Sequence, residues 1–190
     1  MNNETVLSGE VFSIQCPAAG FPLESIIWSK QGVKLPQNRR QTVFPNGTLI
    51  IDKVERSDED VYRCSVSASG AFASRDVFVK VLVAPVINPF SSPPNLREGM
   101  RGMLTCSVLE GDPPVKIQFL KDSKLLRSSP DNHIKIDSTN EFSSTLFISK
   151  VSFEDSGNYT CIASNSAASN SYSVKMIVNG KLACIFQINI

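Results

Sequence analysis

Phe12, Ile14 and Cys16 alternate with Val11, Ser13 and Gln15 at period two. Successive side chains on a strand point to opposite faces, so this run predicts a half-buried strand with its cysteine on the covered side. By the same phase, Leu49 and Ile51 point inward and Thr48, Ile50 and Asp52 outward. On the short strand before them, Gln41 and Val43 are assigned outward. Val77-Phe78-Val79-Lys80-Val81-Leu82-Val83 is a longer strand that runs into Ala84-Pro85-Val86-Ile87 with no Gly/Ser-rich spacer. Pro45-Asn46-Gly47 supplies the positive φ of a hairpin, and Gly20-Phe21-Pro22 and Pro113-Pro114 mark loops. The chain reads as all-β.

The landmarks then recur. Leu7-Ser8-Gly9-Glu10 precedes Cys16 as Arg97-Glu98-Gly99-Met100 precedes Cys106, each glycine standing where a tight turn needs positive φ. An aromatic ring, Trp28 or Phe119, follows about a dozen positions after the cysteine, and then come Leu49-Ile50-Ile51-Asp52-Lys53-Val54 or Leu146-Phe147-Ile148-Ser149-Lys150-Val151. Each copy closes on an aspartate, a tyrosine and a second cysteine: Asp58, Tyr62 and Cys64, then Asp155, Tyr159 and Cys161. In a two-sheet sandwich the cysteines staple the layers, the ring packs on the staple, and the tyrosine hydroxyl ties the turn before its strand. The repeat therefore predicts two tandem immunoglobulin (I-set-like) β-sandwich domains, residues 1–83 and 84–179. A length of 190 residues suits two sandwiches of about 100 each. Phe119 departs from the pattern, since its smaller ring lacks the indole N–H. Arg40 is the candidate partner of Asp58. Residues 180–190 carry no further landmark and read as a tail, of vector origin in preference to the start of a third domain, with Cys184 unpaired.

Cysteine usage points to compartment. Pairs Cys16–Cys64 and Cys106–Cys161 fit an oxidising, extracellular setting, the alternative being buried free thiols as in intracellular muscle domains of this type. The sequons at Asn3, Asn46 and Asn158 are glycosylation candidates that agree with the outside. No stretch approaches the roughly 18 apolar residues that span a bilayer, so any membrane anchor of the parent protein is expected outside this segment. Nineteen basic against 18 acidic residues leave a net charge of +1, which gives no reason to expect nucleic acid and little repulsion between two copies.

Chemistry is sparse. His133 is the sole histidine, so a Ser-His-Asp or Cys-His arrangement is impossible in the first half and zinc lacks ligands throughout. It reads as a solvated loop residue beside Asp131. Glu55, Asp58, Glu59 and Asp60 suggest calcium at first sight, but read better as the turn before strand F. Arg39 and Arg40 are too few for a polyanion site. No cofactor and no enzyme activity are expected; an extracellular binding or spacer module is.

Two strings are more specific: Gly20-Phe21-Pro22-Leu23-Glu24-Ser25-Ile26-Ile27-Trp28 and Val43-Phe44-Pro45-Asn46-Gly47-Thr48-Leu49-Ile50-Ile51. With Glu110-Gly111-Asp112-Pro113-Pro114-Val115-Lys116 and Tyr159-Thr160-Cys161-Ile162-Ala163-Ser164-Asn165-Ser166-Ala167-Ala168, they resemble the arthropod Down syndrome cell adhesion molecule (Dscam) family, most of all the shortened chelicerate forms. The resemblance implies a cell-surface ectodomain and isoform-specific homophilic binding. The first domain would meet its twin antiparallel through its A-B-E-D sheet, using Val11, Ser13, Gln15, Gln41, Val43, Thr48, Ile50 and Asp52. The alternative is a heterophilic receptor fragment that binds a different extracellular protein.

Overall fold

The computed structural model describes residues 2–17, 24–68, 70–131 and 133–180. Cys184 and the Gly20-Phe21-Pro22 loop lie outside them. The chain divides into two compact units, Met1–Val83 and Ala84–Ile190, each with its own apolar core. Among the described residues no helix is long and apolar enough to cross a membrane.

The first unit contains β1 (Asn2–Leu7), β2 (Phe12–Gln15), β3 (Ser25–Lys30), β4 (Val33–Lys34), β5 (Gln41–Val43), β6 (Thr48–Ile51), β7 (Asp60–Ala68) and β8 (Ala71–Leu82). They form a five-stranded sheet, β1-β8-β7-β3-β4, and a three-stranded sheet, β2-β6-β5. Trp28, Leu49, Ile51, Val54, Tyr62, Val79 and Val81 fill the space between, beside Cys16 and Cys64. Burying each large apolar side chain of this kind contributes about 1.5–3 kcal/mol.

The expected A-B-E-D sheet is corrected here. β1 runs parallel to β8, with pairs from Asn2↔Val77 to Leu7↔Leu82, and so belongs to the opposite sheet. Val6 enters the core from that side, and the Ser8 N–H extends the ladder to the Leu82 carbonyl. Gly9, at φ +88, then turns the chain back to begin β2.

The second unit contains β9 (Val86–Ile87), β10 (Gly102–Glu110), β11 (Lys116–Lys121), β12 (Lys124–Leu125), β13 (Ile134–Asn140), β14 (Ser143–Ile148), β15 (Gly157–Ser164) and β16 (Ser169–Met176). Its sheets are β13-β14-β10-β9 and β12-β11-β15-β16. Here a short first strand does reach β10, through Ile87↔Val108. Among the described residues the parallel contact between the segment before β10 and the segment after β16 is a single bridge, Arg97↔Asn179. Leu104, Phe119, Leu146, Tyr159 and Met176 form the centre of the core, beside Cys106 and Cys161.

Candidate recognition face of the first unit

The frame behind the face is rigid. Disulfides join Cys16 to Cys64 and Cys106 to Cys161, with Cα–Cα separations of 5.9 and 6.3 Å. Trp28 lies buried against the first staple and donates its Nε1–H to the Gly47 carbonyl at 2.8 Å. Gly47 belongs to the β5–β6 hairpin, where it sits at φ +82 and donates its N–H to Phe44 O. A Cβ at this position would stand 3.0 Å from Ile26 Cδ1 and 3.3 Å from Cys16 Cβ, so glycine is required for space as well as for φ. The hairpin tip is thereby fixed to the core. Phe119 occupies the matching core position of the second unit.

Below the face lies the tyrosine corner. Tyr62 donates its hydroxyl to Asp58 O at 2.8 Å, and Tyr159 does the same to Asp155 O at 2.8 Å. Burial pushes both phenols upward, with nearby carboxylates adding to the effect. The Asp58 carboxylate takes the Arg40 guanidinium at 2.6 and 3.3 Å and the Glu55 N–H at 2.9 Å. Burial opposes this charge, but the arginine and the backbone donor outweigh it and hold Asp58 below the usual carboxylate range. Its hydrogen bond to Asp58 raises Arg40 in turn. Glu59 accepts the Val81 N–H and Asp60 accepts from Gln31, so these acids serve the turn. Among the described residues no group of three or more His, Cys, Asp or Glu is arranged to hold a metal.

His133 is the second unit's counterpart of Arg40. The carbonyls of both accept an N–H from the residue just past β6 or β14, Asp52 or Ser149. The His133 Nε2 stands 3.2 Å from Asp155 Oδ1. His133 does lie in the loop before β13, but the expectation that its side chain is simply solvated is corrected: the imidazole is half-buried against the corner aspartate.

The face itself follows from strand register. Ile50 is opposed by Ser13 on one side and Thr42 on the other, and Thr48 is opposed by Gln15. Val11, Ser13, Gln15 and Asp52 are exposed, while Thr48 and Ile50 are half-buried. Two assignments fail. Gln41 is only 5 % exposed, since it opposes inward Ile51 and accepts the Gln37 N–H on its Oε1. Val43 opposes inward Leu49 and packs against the core. The outward residue of β5 is Thr42, with Phe44, 43 % exposed, just beyond it and bonded through its N–H to Thr48 O. Counting back across the Phe44–Gly47 turn from Ile50 would have found both, because opposed residues share a face. The three sequon asparagines, Asn3, Asn46 and Asn158, are all exposed.

The unit's other sheet has a different surface. Ser25, Ile27, Ser65, Ser67, Phe72 and Ser74 line a concavity of about 300 Å³, with Phe72 84 % exposed at its rim. Beside it Arg63 grips Asp76 through two bonds, of 2.7 and 2.9 Å.

Comparison with known proteins adds a context. The immunoglobulin domain family profile matches residues 1–67 and 84–165. The chain is 41 % identical over 176 residues to cell adhesion molecule Dscam2 of Drosophila melanogaster, covering 92 % of this chain and 8 % of that protein. It is 42 % identical over 180 residues to cell adhesion molecule DSCAML1 of Homo sapiens, covering 94 % and 9 % respectively. The chain thus spans less than a tenth of either relative. A crystal structure of the N-terminal eight immunoglobulin domains of Down syndrome cell adhesion molecule, isoform 1.30.30, superposes with a TM-score of 0.84. That pair is 35 % identical, over 94 % of this chain and 23 % of the other.

Proposed function

From the premise that this chain belongs to the immunoglobulin domain family, as a Dscam-type segment of it, we propose that it is an extracellular homophilic recognition module. Its relatives are non-enzymatic cell adhesion molecules. The partner in this reading is a second copy of the same chain, met antiparallel through the β2-β6-β5 face of the first unit, on a parent protein anchored in a membrane outside the segment.

The observation that carries the reading is the make-up of that face. Ile50 sits in its middle row between Ser13 and Thr42, with exposed Val11 and Phe44 at the corners. A two-fold axis brings each patch onto itself, so residues near the axis meet their own copies. An antiparallel axis through Ile50 lays Val11 and Asp52 of one copy over Gln15, Thr48 and Phe44 of the other. Asp52 then meets an amide and a hydroxyl, and its own copy is at the far end. Like charges would stand opposed only where a variant introduces a charge near the axis, and this gives isoforms a means of mutual rejection.

Sedimentation and bead aggregation test this directly. Wild-type chain should self-associate and aggregate beads. Ile50→Asp should weaken the dimer by about 2–4 kcal/mol, because one substitution buries two carboxylates facing each other. Unchanged association in this variant, with the fold intact by circular dichroism, refutes the proposed face.

A heterophilic reading has one observation in its favour, the serine-lined concavity with exposed Phe72 on the opposite sheet. It predicts that Phe72→Ser abolishes capture of a foreign extracellular protein and leaves self-association untouched.

A further inference from the structure

We propose that Asn46 carries an N-linked glycan, and that this glycan covers one end of the β2-β6-β5 face and so limits self-association. The second half rests on the homophilic reading above.

Asn46-Gly47-Thr48 satisfies the acceptor sequon, and Asn46 is exposed at the tip of the β5–β6 hairpin. Its side chain is divided between two tasks. Oδ1 accepts the Thr48 N–H at 3.0 Å, closing an Asx-turn. Among the described residues no hydrogen bond engages Nδ2, the atom that glycosylation uses. The sugar therefore adds to the one amide atom the fold leaves spare, and the turn keeps its acceptor. In the transfer, Nδ2 attacks the anomeric carbon of a polyprenyl-diphosphate-linked oligosaccharide. The new N–C bond forms as the C–O bond to the diphosphate breaks. The lipid diphosphate leaves with the bonding electrons, and an amide proton passes to a base of the transferase.

Position gives the glycan its effect. Asn46 lies two residues before Thr48, and Thr48 forms the end row of the face with Gln15 and Phe44. The hairpin tip does not swing, because Gly47 O accepts both Trp28 Nε1–H at 2.8 Å and the Cys16 N–H at 3.0 Å. A sugar rooted there stays over the end row. In the antiparallel pairing, that is where the Val11 and Asp52 end of the second copy has to land. Asn3 on β1 and Asn158 on β15 lie on sheets other than this one.

The test secretes the full chain from a eukaryotic host as wild type, Asn46→Asp and Asn46→Gln. Both variants remove the sequon without touching a contact residue; Asn46→Asp keeps the Oδ1 acceptor of the turn, and Asn46→Gln adds no charge. Peptide mass mapping should find a glycan at Asn46 in wild type and an unmodified residue 46 in both variants. Sedimentation should show both variants associating on the order of tenfold more tightly than wild type. An unmodified Asn46 in wild type overturns the site. A glycan whose loss leaves association unchanged overturns its masking role. If neither form associates, the masking role and the homophilic reading fall together, while the mass data still decide occupancy.

Discussion

Replacing Arg40 with alanine isolates the energetics of the first unit's corner. The guanidinium makes two bonds to Asp58 and one to Lys53 O at 3.1 Å, and stands 3.4 Å from Glu55. The Glu55 side chain is mostly exposed, so that contact contributes little. Asp58 is different: its side chain is 5 % exposed, against 26 % for Arg40. Stranding a fully buried charge costs about 3–5 kcal/mol. Asp58 keeps the Glu55 N–H, and the partly exposed arginine leaves a gap that water can enter, which brings the expected loss to about 2–3 kcal/mol. Trp28 is the chain's one tryptophan and lies in the first unit's core, so its fluorescence follows that unit alone. For a domain this small, urea slopes are about 1 kcal/mol per molar, and the midpoint should fall by about 2–3 M. Arg40→Lys retains the charge without the two-pronged geometry and should restore about half the loss. A fall below about 0.5 M in Arg40→Ala refutes the claim that this pair anchors the corner.

Acid should act through the same group. The folded Asp58 titrates below its unfolded value, so its contribution is complete above an ordinary carboxylate pKa of about 4 and disappears as pH drops through the folded value. Tryptophan-monitored stability should hold from pH 8 to 5 and decline below about 4, with a shallower decline in Arg40→Ala. At the alkaline end both corner tyrosines are raised, so stability should fall once pH passes about 10, the unfolded phenol value, as measured by circular dichroism. Two glycines separate space from torsion: Gly32 (φ +77) has open space around its missing Cβ, whereas Gly47 (φ +82) does not. Gly32→Ala should cost about 1 kcal/mol and Gly47→Ala at least about 2–3 kcal/mol in urea titrations; equal costs would show that torsion alone governs Gly47.

The phase of β2 was legible because apolar inward residues alternate there with polar outward ones, as in Phe12-Ser13-Ile14-Gln15, and that of β6 because polar Thr48 and Asp52 flank its apolar run. The phase of β5 was not. Its inward set includes Gln41, a polar side chain whose burial depends on the Gln37 N–H, and in three residues no alternation can correct for that. Only register against β6 sets its phase. The partner of Asp58 was readable from charge, since a buried carboxylate in this corner needs a cation. That His133 fills the same place in the second unit was hidden, because Asp131 beside it reads as loop. The sheet assignment of the first strand was equally hidden. Its residues could pair on either side of the sandwich, and the bend at Gly9 decides which.

The parallel pairing of β1 with β8 carries a mechanical consequence. When tension is applied to this unit along the chain direction, force enters near β1 and leaves near β8. Parallel neighbours dragged in opposite senses resist in shear, sharing the load over all their rungs at once, whereas an antiparallel hairpin peels open one rung at a time. Among the described residues, six register pairs bear that load in the first unit, against the single Arg97↔Asn179 rung in the second. Under tension the second unit should yield at lower force, extending like a fuse while the first unit keeps its shape.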